Sequence, residues 1–217
     1  MKTELEHIAP RDIEARSFEI ITQELKNRKL DPAYAPLIKR VIHTTADFEY
    51  ADSLCFSDGV LQTALDAIKM GASIVTDTQM VKAGINQKVL AGFGGRVYNF
   101  MKDEDVAKLS EKQGTTRAVA CMDKAANLKE PLIFAIGNAP TALVRIYELA
   151  KAGKCKPELV IGVPVGFVNV VQSKELIMEA GVPFIVARGR KGGSNVAAAI
   201  CNALLYILDE SRAGKNL

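Results

Sequence analysis

These 217 residues predict a single-domain α/β fold, a mostly parallel open sheet with helices on both faces, doubly wound in the Rossmann-like manner. Three observations predict it. Short apolar runs recur between helical stretches, the pattern of parallel strands covered on both sides. Small and polar residues collect just after those runs, where an open sheet of this kind presents its ligand loops. Composition supplies the core: 48% of residues are apolar and 24% charged, with no tryptophan. That content excludes a disordered chain, and 16 Gly and 8 Pro without a triplet period exclude a collagen-like one.

Along the chain, residues 10–29 read as a helix. Pro10 suits a first turn, Ile13, Phe18, Ile21 and Leu25 recur at helical spacing, and Lys26, Arg28 and Lys29 favour the C-terminal end. Pro36 opens a second amphipathic piece through Leu37, Val41 and Ile42 that ends at His43-Thr44-Thr45, and residues 50–56 look extended. Residues 1–56 are thus the less regular part, and 57–208 form the alternating core. There Ser57 is the expected N-cap of a helix reaching Met70, with Gly71 as its stop. Strands are expected at 73–76, 96–100 (mixed in character), 132–136, 159–163 and 184–187. Helices are expected near 103–112, 116–128, 140–152, 170–180 and 194–208. Met70, Met80 and Met101 read as core filler.

The loops after these strands carry Asp77-Thr78-Gln79, Gly137-Asn138, Val165 to Asn169, and residues 189–195. In 188–195, Arg188, Arg190 and Lys191 precede Gly192, Gly193 and Ser194 at a strand-to-helix junction. Backbone amides, a positive helix end and three cations would converge there as an anion site. The same segment reads equally as a flexible basic loop capping a helix. Its glycine spacing matches neither dinucleotide nor P-loop fingerprints, which disfavours a nucleotide enzyme. Gly92 to Arg96 precedes a strand and reads as a turn. Arg117 stands in a first helical turn behind Thr115 and Thr116, either of which suits the N-cap, and a cation there opposes the macrodipole and would suit a ligand anion or a surface ion pair.

Several classes are excluded or left without support. A net charge of +3 without a basic run does not fit a dedicated nucleic-acid binder. No stretch approaches the 18 to 20 apolar residues of a membrane span, and the start MKTELEHIAP has no apolar leader, so a soluble cytoplasmic protein is expected. Cys55, Cys121, Cys155 and Cys201 form no C-x-x-C pair, giving no zinc signal and fitting reduced thiols. Asp47, Glu49 and Asp52 read as an acidic solvated edge and not as a metal site. No G-x-S-x-G is present.

Near-neutral acid–base chemistry falls to His43, because His7 is the only other histidine. Thr44, Thr45 and Asp47 stand close enough in sequence to orient its ring. A partly buried histidine bonded to a local carbonyl fits the same residues.

Taken in order, Pro10-x-x-Ile13-x-x-x-Ser17-Phe18, the segment Val41-Ile42-His43-Thr44-Thr45-Ala46-Asp47, Gly137-Asn138-Ala139-Pro140-Thr141-Ala142-Leu143, Gly162-Val163-Pro164-Val165-Gly166-Phe167-Val168-Asn169 with Ser173-Lys174-Glu175, and Gly189-Arg190-Lys191-Gly192-Gly193-Ser194 resemble the precorrin-8X methylmutase family. The resemblance covers residues 9 to 208. It implies an α/β homodimer and an isomerase that moves a methyl group from ring carbon 11 to ring carbon 12 of a tetrapyrrole in cobalamin biosynthesis. No redox cofactor, methyl donor or protein-bound metal is implied, and cobalt, if present, is carried by the substrate. The resemblance places the catalytic histidine on His43 and substrate contacts on Ser17, Arg117 and residues 192–194. For a substrate rich in acetates and propionates, Arg16, Arg40, Arg117, Arg188, Arg190 and Lys191 are the expected charge-assisted partners. The loop residues Thr78, Gln79, Asn138, Gly166 and Asn169, with Thr44 and Asp47, complete the expected site. A non-catalytic corrinoid carrier is the alternative, since the same cationic loops would serve it.

Overall fold

The computed structural model describes residues 5–209. Six strands form one sheet: β1 (Leu54–Phe56), β2 (Ser73–Thr76), β3 (Val97–Tyr98), β4 (Leu132–Ile136), β5 (Leu159–Gly162) and β6 (Phe184–Ala187). Their order is β1-β6-β5-β4-β2-β3, all parallel except β1, which runs antiparallel along β6 with Leu54 opposite Ala187. Every residue of β2, β4 and β5 is buried, as parallel strands covered on both faces must be. The two edge strands are the shortest, which limits the exposed ladder.

Side chains alternate between two cores, as the two-residue period of a strand dictates. Ile74, Ile133, Ala135, Leu159, Ile161 and Ile185 face one side, under α1 (Ile13–Glu24), α2 (Ala35–Thr45), α4 (Val60–Lys69), α5 (Gln79–Gly84), α6 (Gln87–Gly92) and α11 (Ser194–Leu208). Val75, Leu132, Phe134, Ile136, Val160 and Val186 face the other, under α7 (Glu104–Gln113), α8 (Arg117–Ala125), α9 (Pro140–Lys151) and α10 (Val170–Met178). α3 (Tyr50–Ser53) is a single turn leading into β1. α11 packs along α2, α4 and α5 and is almost wholly apolar on its buried side, from Val196 to Leu205. No helix among the described residues is long and apolar enough to cross a membrane.

The expected doubly wound sheet is present, with five corrections in detail. The first helix begins with a 3-10 turn at Pro10–Asp12 and stops at Glu24, so residues 26–29 lie beyond it. Ile13 is exposed although it fits the helical spacing. Residues 50–56 are extended only from Leu54, because α3 comes first. Ser57 does not cap α4. Its Oγ accepts the amide of Phe184 and ties β1 to β6, while Gly59, at φ +66°, takes the cap position. The strand expected at 96–100 shrinks to two residues, and β2 and β3 are joined by α5 and α6, each too short to show a period. Met70 and Met80 are exposed and fill no core, whereas Met101 is half-buried against Cys121.

Candidate functional site

Apart from β1, the strands occur in the spatial order second, first, third, fourth, fifth along the chain, so the sheet reverses its winding between β2 and β4. At that switch point lies Asp77, the residue after β2, only 2% exposed. Its carboxylate accepts the amides of Gly137 (2.9 Å), Asn138 (2.8 Å) and Ala139 (2.6 Å), three successive donors of the loop that enters α9. Burial pushes this carboxyl above its ordinary value while the three amides pull it down. A phosphate-binding doubly wound protein presents such a helix start to its ligand. Here the chain's own carboxylate holds the loop in front of α9, so the amides of residues 137–139 are not available to a phosphate.

The neighbouring loop residues are ordered by one another. Thr78 caps α5 by accepting the amide of Val81 (3.1 Å), and its hydroxyl lies 2.9 Å from that of Ser194 at the start of α11. Gln79 donates to Asn99 (2.9 Å), which donates to the Thr76 carbonyl. Gly137 sits where a Cβ would press on Ser194 Cα at 2.8 Å, so only glycine lets these two loops meet. Thr116 caps α8, as expected, and touches the Thr141 hydroxyl at 3.0 Å. This places Arg117, exposed and without an ion pair among the described residues, beside the start of α9. Asn138, Gly166 and Asn169 lie on the same edge. Asn138 and Asn169 are exposed, and Asn169 adopts φ +56° at the entry to α10.

His43 stands in the last turn of α2, exposed on one side and stacked on Phe18 of α1 on the other, with ring centroids 5.2 Å apart. The Arg40 guanidinium covers the same Phe18 ring at 4.7 Å and the Tyr206 ring at 5.3 Å, and it pairs with Glu14. Partial desolvation, with a smaller push from the Arg40 charge, holds the His43 imidazole below its ordinary value, and Glu14 opposes the shift. Arg40 is 9% exposed, with Nε buried and unpartnered. It therefore acts on its surroundings chiefly through charge. Ser17 donates to the Ile13 carbonyl one turn back, and Arg16 pairs with Glu6 and Glu19.

The hydroxyls expected to orient His43 point elsewhere. Thr44 donates to the Arg40 carbonyl and Thr45 to that of Val41, each closing a helical turn on itself. Asp47 bonds Lys191 at 2.6 Å, and Glu49 reaches the same ammonium at 2.9 Å, so the acidic edge is solvent-exposed, as expected, and also paired. These bonds, with the Arg188 amide on the Ser53 carbonyl, fasten residues 47–53 to the loop after β6. The three cations of that loop do not converge. Arg188 is held by Glu175 and Lys191 by Asp47 and Glu49, while Arg190 lies 5.4 Å from the exposed Phe167 ring. Acids in adjoining segments draw them apart.

A cleft of about 290 Å³ opens between α2, α5 and α11, lined by Arg40, Thr44, Asn195, Asn202 and Tyr206. Asn202 and Tyr206 were not among the residues singled out in the sequence, because α11 reads there as a plain apolar helix, and Asn195 entered only as the last residue of the loop 189–195. Asp77 lay inside a selected loop, and its one sequence signal was an acid directly after a buried strand. Among the described residues no three His, Cys, Asp or Glu side chains group as metal ligands.

Residues 12–207 match the family model of precorrin-8X methylmutase. The chain is 43% identical to a cobalt-precorrin-8 methylmutase of Priestia megaterium, over 93% of this chain and 90% of that protein. It is 45% identical to the cobalt-precorrin-8 methylmutase of Salmonella typhimurium, over 93% and 97%. Among solved structures, precorrin-8X methylmutase from Thermus thermophilus superposes with a TM-score of 0.83 at 39% identity, over 92% of this chain and 98% of that one.

Proposed function

The chain belongs to the precorrin-8X methylmutase family, and from that membership we propose that it moves the methyl group on ring carbon 11 of precorrin-8 or cobalt-precorrin-8 to ring carbon 12, giving hydrogenobyrinate or cobyrinate. The observation that carries this reading is the match of residues 12–207 to the family model, and the Lys191–Asp47 pair, which ties the loop after β6 to the segment just after His43, supports a shared site.

The shift breaks one carbon–carbon bond as it forms its neighbour within a conjugated ring. Atoms and charge therefore balance without a methyl donor, redox cofactor or protein-bound metal, and cobalt, where present, arrives with the substrate. The protein supplies a rigid cradle and one proton donor. His43 is that donor, lending a proton or a hydrogen bond to the ring and recovering it when product forms. In the unliganded chain its depressed basicity favours the neutral ring, which still donates an N–H. Arrival of a polycarboxylate raises its proton affinity, because nearby anions favour the imidazolium. Arg117, Arg190 and the amides at the starts of α8 and α11 receive acetate and propionate groups. Phe167 and Val168, 82% and 78% exposed, give the macrocycle an apolar rim. The enzyme works in the cytoplasm as a homodimer, with residues 30–56 helping to shape a site shared between subunits.

Anaerobic incubation with precorrin-8 and with cobalt-precorrin-8, monitored by absorption, tests the assignment. Conversion of many equivalents is expected, with His43→Ala slower by about two to four powers of ten. A spectral change that stops at one equivalent, with ligand recovered unaltered, would make the protein a corrinoid carrier. Near-normal turnover by His43→Ala would remove that residue from the chemistry.

A further inference from the structure

Lys174, in the middle of α10, is the most deeply buried cation among the described residues, at 0% exposure. It has no carboxylate partner there, and desolvation alone pushes its ammonium down to about 8. Enclosing a charge without a counter-ion is costly, so a plain packing role would be better served by Met or Leu. Its Nζ instead donates to two carbonyls of one loop, Gly189 and Lys191, each at 2.8 Å. Between them the Arg190 carbonyl accepts the amide of Gly166 at 3.2 Å. Three successive carbonyls are thus turned into the protein.

Peptide planarity then sets the direction of the adjoining amides. In a trans peptide the N–H points opposite to the C=O, so carbonyls of 189, 190 and 191 directed inward send the amides of 190, 191 and 192 outward. Those three amides donate to no acceptor among the described residues, whereas the next, Gly193, bonds inward to the Val163 carbonyl at 2.8 Å. The outward row lies directly before the start of α11, where further amides and the positive helix end add to it. Successive amides of this kind form a concavity for an anion.

The geometry points to Lys174 as the positioning residue of an anion-binding loop: by drawing the carbonyls of Gly189 and Lys191 inward, its ammonium presents the amides of residues 190–192 to a carboxylate of the bound ligand. That the natural ligand is a tetrapyrrole carboxylate rests on the function proposed above; the anion site itself does not.

Inorganic phosphate is therefore the first probe, titrated into the whole protein labelled with nitrogen-15. In the unmutated chain the amide resonances of 190–192 should move saturably, and in Lys174→Met, which keeps the volume and removes the donors, the affinity should fall at least 10-fold. Amides of 190–192 that stay in place in the unmutated chain would overturn the inference even if the variant failed to fold. In turnover, Lys174→Met should raise KM about 10-fold or more with kcat at saturation changed less than 3-fold, and Lys174→Gln, which restores one donor, should lie between. A thermal midpoint held or raised, with KM within 2-fold of the unmutated value, would leave Lys174 a buried packing residue and refute the role. Phosphate shifts at 190–192 without any binding of hydrogenobyrinate would sink the proposed function and leave the loop assignment standing.

Discussion

His43 is held by opposed influences, the partial desolvation and Arg40 charge that favour its neutral form and the Glu14 carboxylate that favours the imidazolium. Its basicity in the free protein lies below the ordinary histidine value, which gives a signed stability effect. Between the folded pKa and about 6.5 the unfolded chain binds the extra proton, so stability gained above that window is lost as pH falls through it. Urea midpoints of the unmutated chain and His43→Gln, measured from pH 5 to 8, should keep a constant difference above about 6.5, and the unmutated chain should lose stability relative to the variant as pH falls below it. Proton NMR of the ring should show its pKa rising when hydrogenobyrinate is added, and an unchanged value would argue against loading of a proton by the substrate. Gly192 makes a second residue-scale test. A Cβ there would fall onto the Val163 carbonyl and within 2.8 Å of that of Pro164. Gly192→Ala should cost about 1–3 kcal/mol in denaturant unfolding, as backbone overpacking does, and raise KM by displacing the loop.

At the scale of elements, the site depends on how helix starts are occupied. The loop entering α9 has its amides satisfied by Asp77, α8 and α5 are each capped by one threonine, Thr116 and Thr78, and the approach to α11 keeps the amides of 190–192 turned outward. Asp77→Ala would orphan three donors together and should lower stability by about 2–4 kcal/mol, measured by urea unfolding. Loss of less than 1 kcal/mol would mean that α9 does not rely on this carboxylate. The same elements show what the sequence made legible. Four buried runs announced β2, β4, β5 and β6, because a strand covered on both faces needs nothing but apolar residues. Thr116 announced α8 through cap chemistry, which is local. α5 and α6 escaped notice since six residues hold fewer than two turns, and Ser57 misled because its hydroxyl serves a strand 127 residues away. The partners of Lys191 and Arg188 were likewise invisible, being set by where β1 and α10 lie against β6 rather than by neighbours in sequence.

For the whole molecule, the parallel sheet sets the stage by bringing the loops after β2, β4, β5 and β6 to one edge, and the antiparallel β1 brings the end of α2 to it. The candidate site was legible as a set of loops before its geometry was known, whereas the order within it was not, since ion pairs and buried carbonyl contacts decide which cations face outward. A homodimer that shapes its sites jointly predicts that mixing two inactive variants, one altered at His43 within residues 30–56 and one altered at Arg117 outside them, restores up to about one quarter of the activity. Recovery indistinguishable from zero would confine each site to its own chain. The most direct test of the methyl shift is a crossover experiment. Precorrin-8 labelled in both the migrating methyl and the ring is mixed with unlabelled substrate, converted with a small amount of protein, and analysed by NMR and mass. An intramolecular shift predicts products that are either fully labelled or unlabelled, with the labelled methyl on ring carbon 12. Products carrying a labelled methyl on an unlabelled ring would show transfer between molecules and contradict the mechanism.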